Sequence, residues 1–128
     1  MSARDTIFLV DDDNALRRST QRLLVDHGFR VRAFASAQEF LAAYQDGACG
    51  CVLLDLRMDR LSGLELQQIL LERGAPPPIV FFTGHADEST RAQALARGAV
   101  AFLEKPVPEK TLIEALERGL SSNANVSG

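Results

Sequence analysis

The chain has 128 residues and carries 14 Lys and Arg against 17 Asp and Glu, a formal charge of -3. That is one domain's length of chain, able to bury roughly two-thirds of its unfolded surface without a metal or disulfide staple, and its acidic balance excludes an electrostatic footprint for nucleic acid. Neither a secretory apolar segment nor a membrane-length span is present, and Cys49 and Cys51, the only cysteines, are badly spaced for a disulfide, so a cytoplasmic protein with reduced thiols and no membrane contact is expected.

Ile7-Phe8-Leu9-Val10 reads as a short buried strand that ends in Asp11-Asp12-Asp13-Asn14. The period then becomes helical, with Leu16, Leu23 and Leu24 on one side and Arg17, Arg18 and Arg22 on the other. His27-Gly28 closes this helix, Gly28 as the left-handed residue and His27 at the negative end of the dipole. From Phe29 to Ala35 apolar and polar residues alternate, which predicts a strand near a sheet edge. Ser36 and Glu39 spell a capping box for a helix with Phe40, Leu41 and Tyr44 inward, and Gly47 and Gly50 break the chain after it.

Val52-Leu53-Leu54-Asp55-Leu56-Arg57 is an unbroken apolar run that delivers one carboxylate at its end. For a lone Asp there, capping the next turn is the ordinary role. Ser62 and Glu65 form a second capping box, opening a helix with Leu66, Ile69 and Leu70 inward that ends near Gly74. After the stiff Pro76-Pro77-Pro78 connector, Ile79-Val80-Phe81-Phe82 is a third apolar run, ending in Thr83-Gly84-His85. Asp87 is placed to cap a helix containing Ala92, Leu95 and Ala96. Ala99 to Leu103 is the last strand, finishing at Glu104-Lys105-Pro106. Pro108 fits the first turn of a final helix whose core face is Leu112, Ile113, Leu116 and Leu120. The expected domain is residues 1–120, with 121–128 a polar tail or the start of a linker.

Strand and helix signals alternate five times with short connections, which predicts an α/β fold: a five-stranded parallel sheet, doubly wound, with helices on both faces. Ligands of such sheets bind outside the carboxyl ends of the strands. There the chain places Asp11 and Asp12, Asp55, Thr83 and Lys105. Carboxylates within about 4 Å of one another repel by several kcal/mol, so the group calls for a cation, and oxygen ligands favour Mg2+ over zinc. Lys105 and Thr83 add a positive charge and a hydroxyl donor suited to a tetrahedral dianion. Together these are the parts an aspartyl-phosphate requires.

With these motifs in this order and spacing, residues 5 to 120 resemble a response-regulator receiver domain of two-component signalling, most like those of transcriptional response regulators. The resemblance rests on Asp11-Asp12, Asp55 in Leu-Asp-Leu-Arg-Met, Thr83-Gly84, and Lys105-Pro106 after Gly98 to Leu103. It implies a (βα)5 flavodoxin-like fold and a regulatory phosphoprotein rather than an enzyme. Asp55 would be the phospho-acceptor. Asp11, Asp12, Asp55 and the Arg57 backbone carbonyl would hold Mg2+, and Thr83 and Lys105 would bind phosphoryl oxygens. The Lys105-Pro106 bond is expected to be cis, and Phe102 to be the aromatic that turns inward with Thr83. A sensor histidine kinase or phosphotransfer protein would be the donor, with a phosphorylation-dependent homodimer or effector surface across residues 90–120. Arg57 and His85 stand where the family tunes phosphoryl lifetime.

Asp59 departs from the family's usual Pro, which should loosen the loop after Asp55. Two other readings remain open from the residues. Asp11-Asp12-Asp13 contains the Asp-x-Asp spacing of haloacid-dehalogenase-type phosphatases, with Asp11 as nucleophile, although Ala15 stands where that motif has Thr or Val. A pseudo-receiver that binds protein without being phosphorylated would share the fold but need none of the five polar residues.

Overall fold

A computed structural model of the chain describes residues 6–45, 50–58, 60–84 and 87–127, with side chains described as far as residue 121. Gly47, Cys49, Asp59 and His85 lie outside the described residues. Five strands alternate with five helices: β1 (Thr6–Val10), α1 (Asn14–Asp26), β2 (Arg30–Phe34), α2 (Ala37–Ala43), β3 (Cys51–Leu54), α3 (Gly63–Glu72), β4 (Ile79–Thr83), α4 (Glu88–Ala96), β5 (Ala101–Glu104) and α5 (Glu109–Ser127). The strands pair in the order β2-β1-β3-β4-β5, and every pairing is parallel. The alternating strand is β2, and it sits at an edge as its mixed polarity requires.

Because successive strand residues face opposite sides, the apolar runs divide into two cores. Phe8, Val10, Val52, Leu54, Phe81 and Phe102 pack on one face with Phe40, Leu66, Leu70 and Ala94 from α2, α3 and α4. Ile7, Leu9, Cys51, Leu53, Val80 and Ala101 pack on the other with Leu24, Leu112, Ala115 and Leu116 from α1 and α5. Burial pushes the Cys51 thiol up to about 12, so Cys51 is core rather than nucleophile.

The helix starts follow their caps. Ser62 and Glu65 form the complete reciprocal box on α3, and Asp87 accepts from the Thr90 N–H at 2.7 Å. At α2 the box is incomplete: Ser36 accepts from the Glu39 N–H, but the Glu39 carboxylate reaches back to the Ala35 N–H, one residue before the cap. Pro108 is not in the first turn of α5 but just before it, with its carbonyl accepting from the Leu112 N–H at 3.1 Å. His27 caps α1 at its C-terminus, its Nε2 lying 2.6 Å from Glu109 Oε2, and Gly28 follows with φ of 92°.

Three packing details differ from the periodicity. Gln67 is buried on α3, where the pattern placed Ile69, and Ala94 rather than Ala92 or Ala96 is the buried residue of α4. The helix α5 also continues through Ser127, past the expected end at residue 120. Once its packed turns are formed, adding Ser, Asn and Ala residues costs only tenths of a kcal/mol each.

Candidate functional site

All the polar groups of the crevice hang from strand ends that the parallel register aligns. Val10 pairs with Leu54 and Leu54 with Phe81, so Asp11 and Asp55 emerge at the same level and Thr83 one residue farther along β4. Asp55 N–H donates to the Val10 carbonyl at 3.1 Å and Asp11 N–H to the Phe34 carbonyl at 3.1 Å, continuing the sheet ladder one residue past its strands. Lys105 N–H donates to the Thr83 carbonyl at 2.7 Å, which brings the fifth strand's lysine beside the fourth strand's threonine.

The structure brings Asp11, Asp12 and Asp55 together, each offering one carboxylate oxygen, all within 4.8 Å of one another. Lys105 Nζ reaches over them, 3.9 Å from Asp11 Oδ2 and 3.7 Å from Asp55 Oδ2. The same ammonium lies 4.7 Å from the centre of the Phe82 ring, an apolar seat that holds it over the acids. Thr83 is buried at the end of β4, and Phe102, also buried, packs on Phe81 with ring centres 5.7 Å apart. The Lys105-Pro106 bond is cis, as the resemblance implied.

The three acids are not equivalent. Asp12 is exposed, whereas Asp11 is buried, its Oδ1 accepting from the Asp13 N–H at 2.9 Å. Asp55 Oδ1 accepts from the Arg57 N–H at 3.2 Å, leaving Oδ2 toward Lys105. Burial pushes Asp11 up to about 6, reinforced by the charge of Asp55 and opposed by the Asp13 N–H and Lys105. Burial likewise raises Asp55, with Asp12 adding to the rise and Lys105 and the Arg57 N–H resisting it. One lysine does not neutralise this group. An all-oxygen set with excess negative charge fits a hard divalent cation such as Mg2+.

Two neighbours of the site have roles that the sequence reading did not assign. Gly63 begins α3 beneath Asp55: a Cβ there would fall 2.6 Å from the Asp55 carbonyl oxygen. A glycine directly after a Ser cap, where better helix formers are available, was the one sequence sign of it. Asp13, grouped with the acids by position, instead caps α1 by accepting from the Leu16 N–H at 3.0 Å.

Comparison with known proteins agrees with this geometry. The family described as response regulator receiver domain matches residues 7–117. The transcriptional regulatory protein TdiR of Thauera aromatica is 42% identical over 122 residues, 95% of this chain and 54% of its own. FixJ of Bradyrhizobium diazoefficiens, another transcriptional regulatory protein, is 39% identical over 120 residues, covering 94% and 58%. This chain therefore spans about half the length of the curated relatives it matches. Among solved structures, the response regulator StyR aligns with a TM-score of 0.89 at 41% identity, over 95% of this chain and 62% of that one. The crystal structure of FixJ-N gives 0.84 at 38% identity, over 91% and 93%. With its strand order, its crevice of Asp11, Asp12 and Asp55 and these matches, the chain belongs to the response regulator receiver domains of two-component systems.

Proposed function

We propose that Asp55 is the phospho-acceptor of this receiver and that a sensor histidine kinase or phosphotransfer protein supplies the phosphoryl group. The observation that carries the reading is the convergence of three carboxylates within 4.8 Å under a lysine that reaches two of them. Between the two acids that Lys105 reaches, exposure favours Asp55 as the nucleophile: its side chain is 11% exposed against 2% for Asp11. The same contrast disfavours a phosphatase acting through Asp11, whose carboxylate is sunk in the protein and bonded to its own loop. In the transfer an Asp55 oxygen bonds to phosphorus as the donor's nitrogen–phosphorus bond breaks, and the departing imidazole keeps the electron pair and takes up a proton. Lys105 and the Thr83 hydroxyl receive the phosphoryl oxygens. Asp11, Asp12, Asp55 and the Arg57 backbone carbonyl hold Mg2+, which supplies positive charge against the negative charge gathered at the site.

Movement of Thr83 toward the new dianion is coupled to Phe102 and read out on residues 90–120, as dimer formation or release of an effector. Since TdiR and FixJ are described as transcriptional regulatory proteins and this chain matches about half of each, control of transcription through a further domain is the output that fits. Residues 1–120 form the switch, and 121–128 lead out of it. The test is incubation with acetyl phosphate and Mg2+ followed by mass spectrometry. Wild type should gain one phosphoryl group and Asp55→Asn none; uptake by Asp55→Asn equal to wild type would overturn the assignment.

A further inference from the structure

Outside the five polar residues of the crevice, one side chain holds the backbone on which two of them stand. Arg17 lies on the first turns of α1, half-buried, and its Nη1 donates to the Asp11 backbone carbonyl at 2.8 Å while its Nη2 donates to Asn14 Oδ1 at 2.6 Å. The Arg17 N–H also donates to the Asp13 carbonyl at 2.8 Å. The carbonyl that Nη1 grips belongs to the peptide unit linking Asp11 to Asp12. Fixing the plane of that unit fixes the directions in which the two carboxylates leave the chain. The rest of the turn is held by the Asp13 N–H on Asp11 Oδ1 at 2.9 Å, so without Arg17 the carbonyl side of this peptide loses its side-chain anchor.

We propose that Arg17 is a positioning residue for the cation site: its planar fork clamps the Asp11-Asp12 peptide and so sets the pair of carboxylates to bind a divalent ion together. The proposal rests on the phospho-acceptor reading. Fork geometry is the point, because a lysine keeps the charge but cannot hold the Asp11 carbonyl and Asn14 in one rigid plane. Charge and positioning act in opposite directions here. A cation beside a cation site weakens metal binding, so if Arg17 acted only through its charge, removing it would tighten Mg2+. If it acts by positioning, removing it loosens Mg2+.

The experiment is calorimetric titration of Mg2+ into wild type, Arg17→Gln and Arg17→Lys, with acetyl phosphate uptake measured at saturating Mg2+ and thermal unfolding as the control for folding. Loss of a group that orients metal ligands typically weakens binding about 10-fold or more, and that is the expected change in Kd for Arg17→Lys. Arg17→Gln, which is two bonds too short to reach the Asp11 carbonyl but also removes a repelling cation, should weaken Mg2+ by a smaller factor than Arg17→Lys. Uptake at saturating Mg2+ should stay within about threefold of wild type, since the lysine, threonine and Asp55 are untouched. Asn14→Ala, which removes only the second anchor of the fork, should weaken Mg2+ by a smaller factor and serves if the Arg17 variants do not fold. Unchanged or tighter Mg2+ binding in the variants, with only a lower melting temperature, would overturn the positioning role while leaving the phospho-acceptor reading intact. A wild type that binds no Mg2+ and takes up no phosphoryl group would overturn both.

Discussion

Gly63 isolates a competition between local and tertiary forces at a single residue. As the first residue of α3 it is a poor helix former, and replacement by Ala should favour the isolated helix by up to about 1 kcal/mol. The fold opposes that gain. The added methyl would meet the Asp55 carbonyl oxygen at 2.6 Å, the Leu56 Cα at 2.9 Å and the Phe81 ring at 3.1 Å, and two of those three are backbone that cannot swing aside. Overpacking of this kind costs about 1–3 kcal/mol, so the net effect of Gly63→Ala should be destabilising by roughly 1–2 kcal/mol in urea unfolding. Because the displaced atom is the Asp55 backbone, phosphorylation by acetyl phosphate should slow as well. A variant more stable than wild type would mean that the α3 terminus moves freely relative to Asp55.

At the scale of elements, α4 has little apolar anchorage, with Ala94 its only fully buried residue. Its attachment to α3 is partly polar: Gln67 Nε2 donates to the Ala94 carbonyl at 3.0 Å and Arg97 Nη1 to the Leu64 carbonyl at 3.3 Å. Gln67 is fully buried, and its Oε1 has no protein partner among the described residues. Replacing Gln67 with Met keeps the length of the side chain. It loses one hydrogen bond worth about 1 kcal/mol and removes a buried orphan acceptor whose desolvation costs about 1–3 kcal/mol. Gln67→Met should therefore be more stable by roughly 1 kcal/mol in equilibrium unfolding, while hydrogen exchange in α4 becomes faster relative to the rest of the fold. Global destabilisation would mean that the Gln67–Ala94 bond outweighs the orphan.

This helix pair also marks where the sequence stopped being legible. Strands β1, β3, β4 and β5 were visible because a parallel sheet covered on both faces needs continuous apolar runs, and β2 because an edge strand alternates. Ser62 and Asp87 announced their helices by chemistry that acts within four residues. The acids and the lysine could be gathered into one crevice because register in a parallel sheet brings strand ends level. Gln67 could not be foreseen as buried, since its reason lies 27 residues away on α4. The fork of Arg17 and the bare face of Gly63 were hidden for the same reason: each answers to a backbone atom whose position only the assembled fold defines.

For the whole molecule, the fold holds like charges together at one end of its sheet, and its stability should register that. Asp11 is the most buried of the acids, and its carboxyl is raised from about 3.8 to about 6. A raised carboxyl in the folded state means that protonation favours folding, so the contribution of Asp11 is fully present below about pH 3.8 and is lost as pH rises through about 6. Asp11→Asn removes the charge and leaves an oxygen to accept from the Asp13 N–H. Without metal above pH 6 it should therefore stabilise the domain, by on the order of 1–3 kcal/mol, and the advantage should vanish on acidification to about pH 4. Mg2+ should narrow the difference. Binding to the folded state alone stabilises by about 1.4 kcal/mol at ten times the dissociation constant, a gain available to wild type but lost, in large part, to Asp11→Asn. Melting curves of both proteins at pH 7.5, with and without 10 mM Mg2+, read the two effects separately. If Mg2+ raised both melting temperatures equally, the cation would be binding somewhere other than beside Asp11. If Asp11→Asn were the less stable protein without metal, Lys105 alone would be neutralising the crevice, and the case for a resident cation would fall with it.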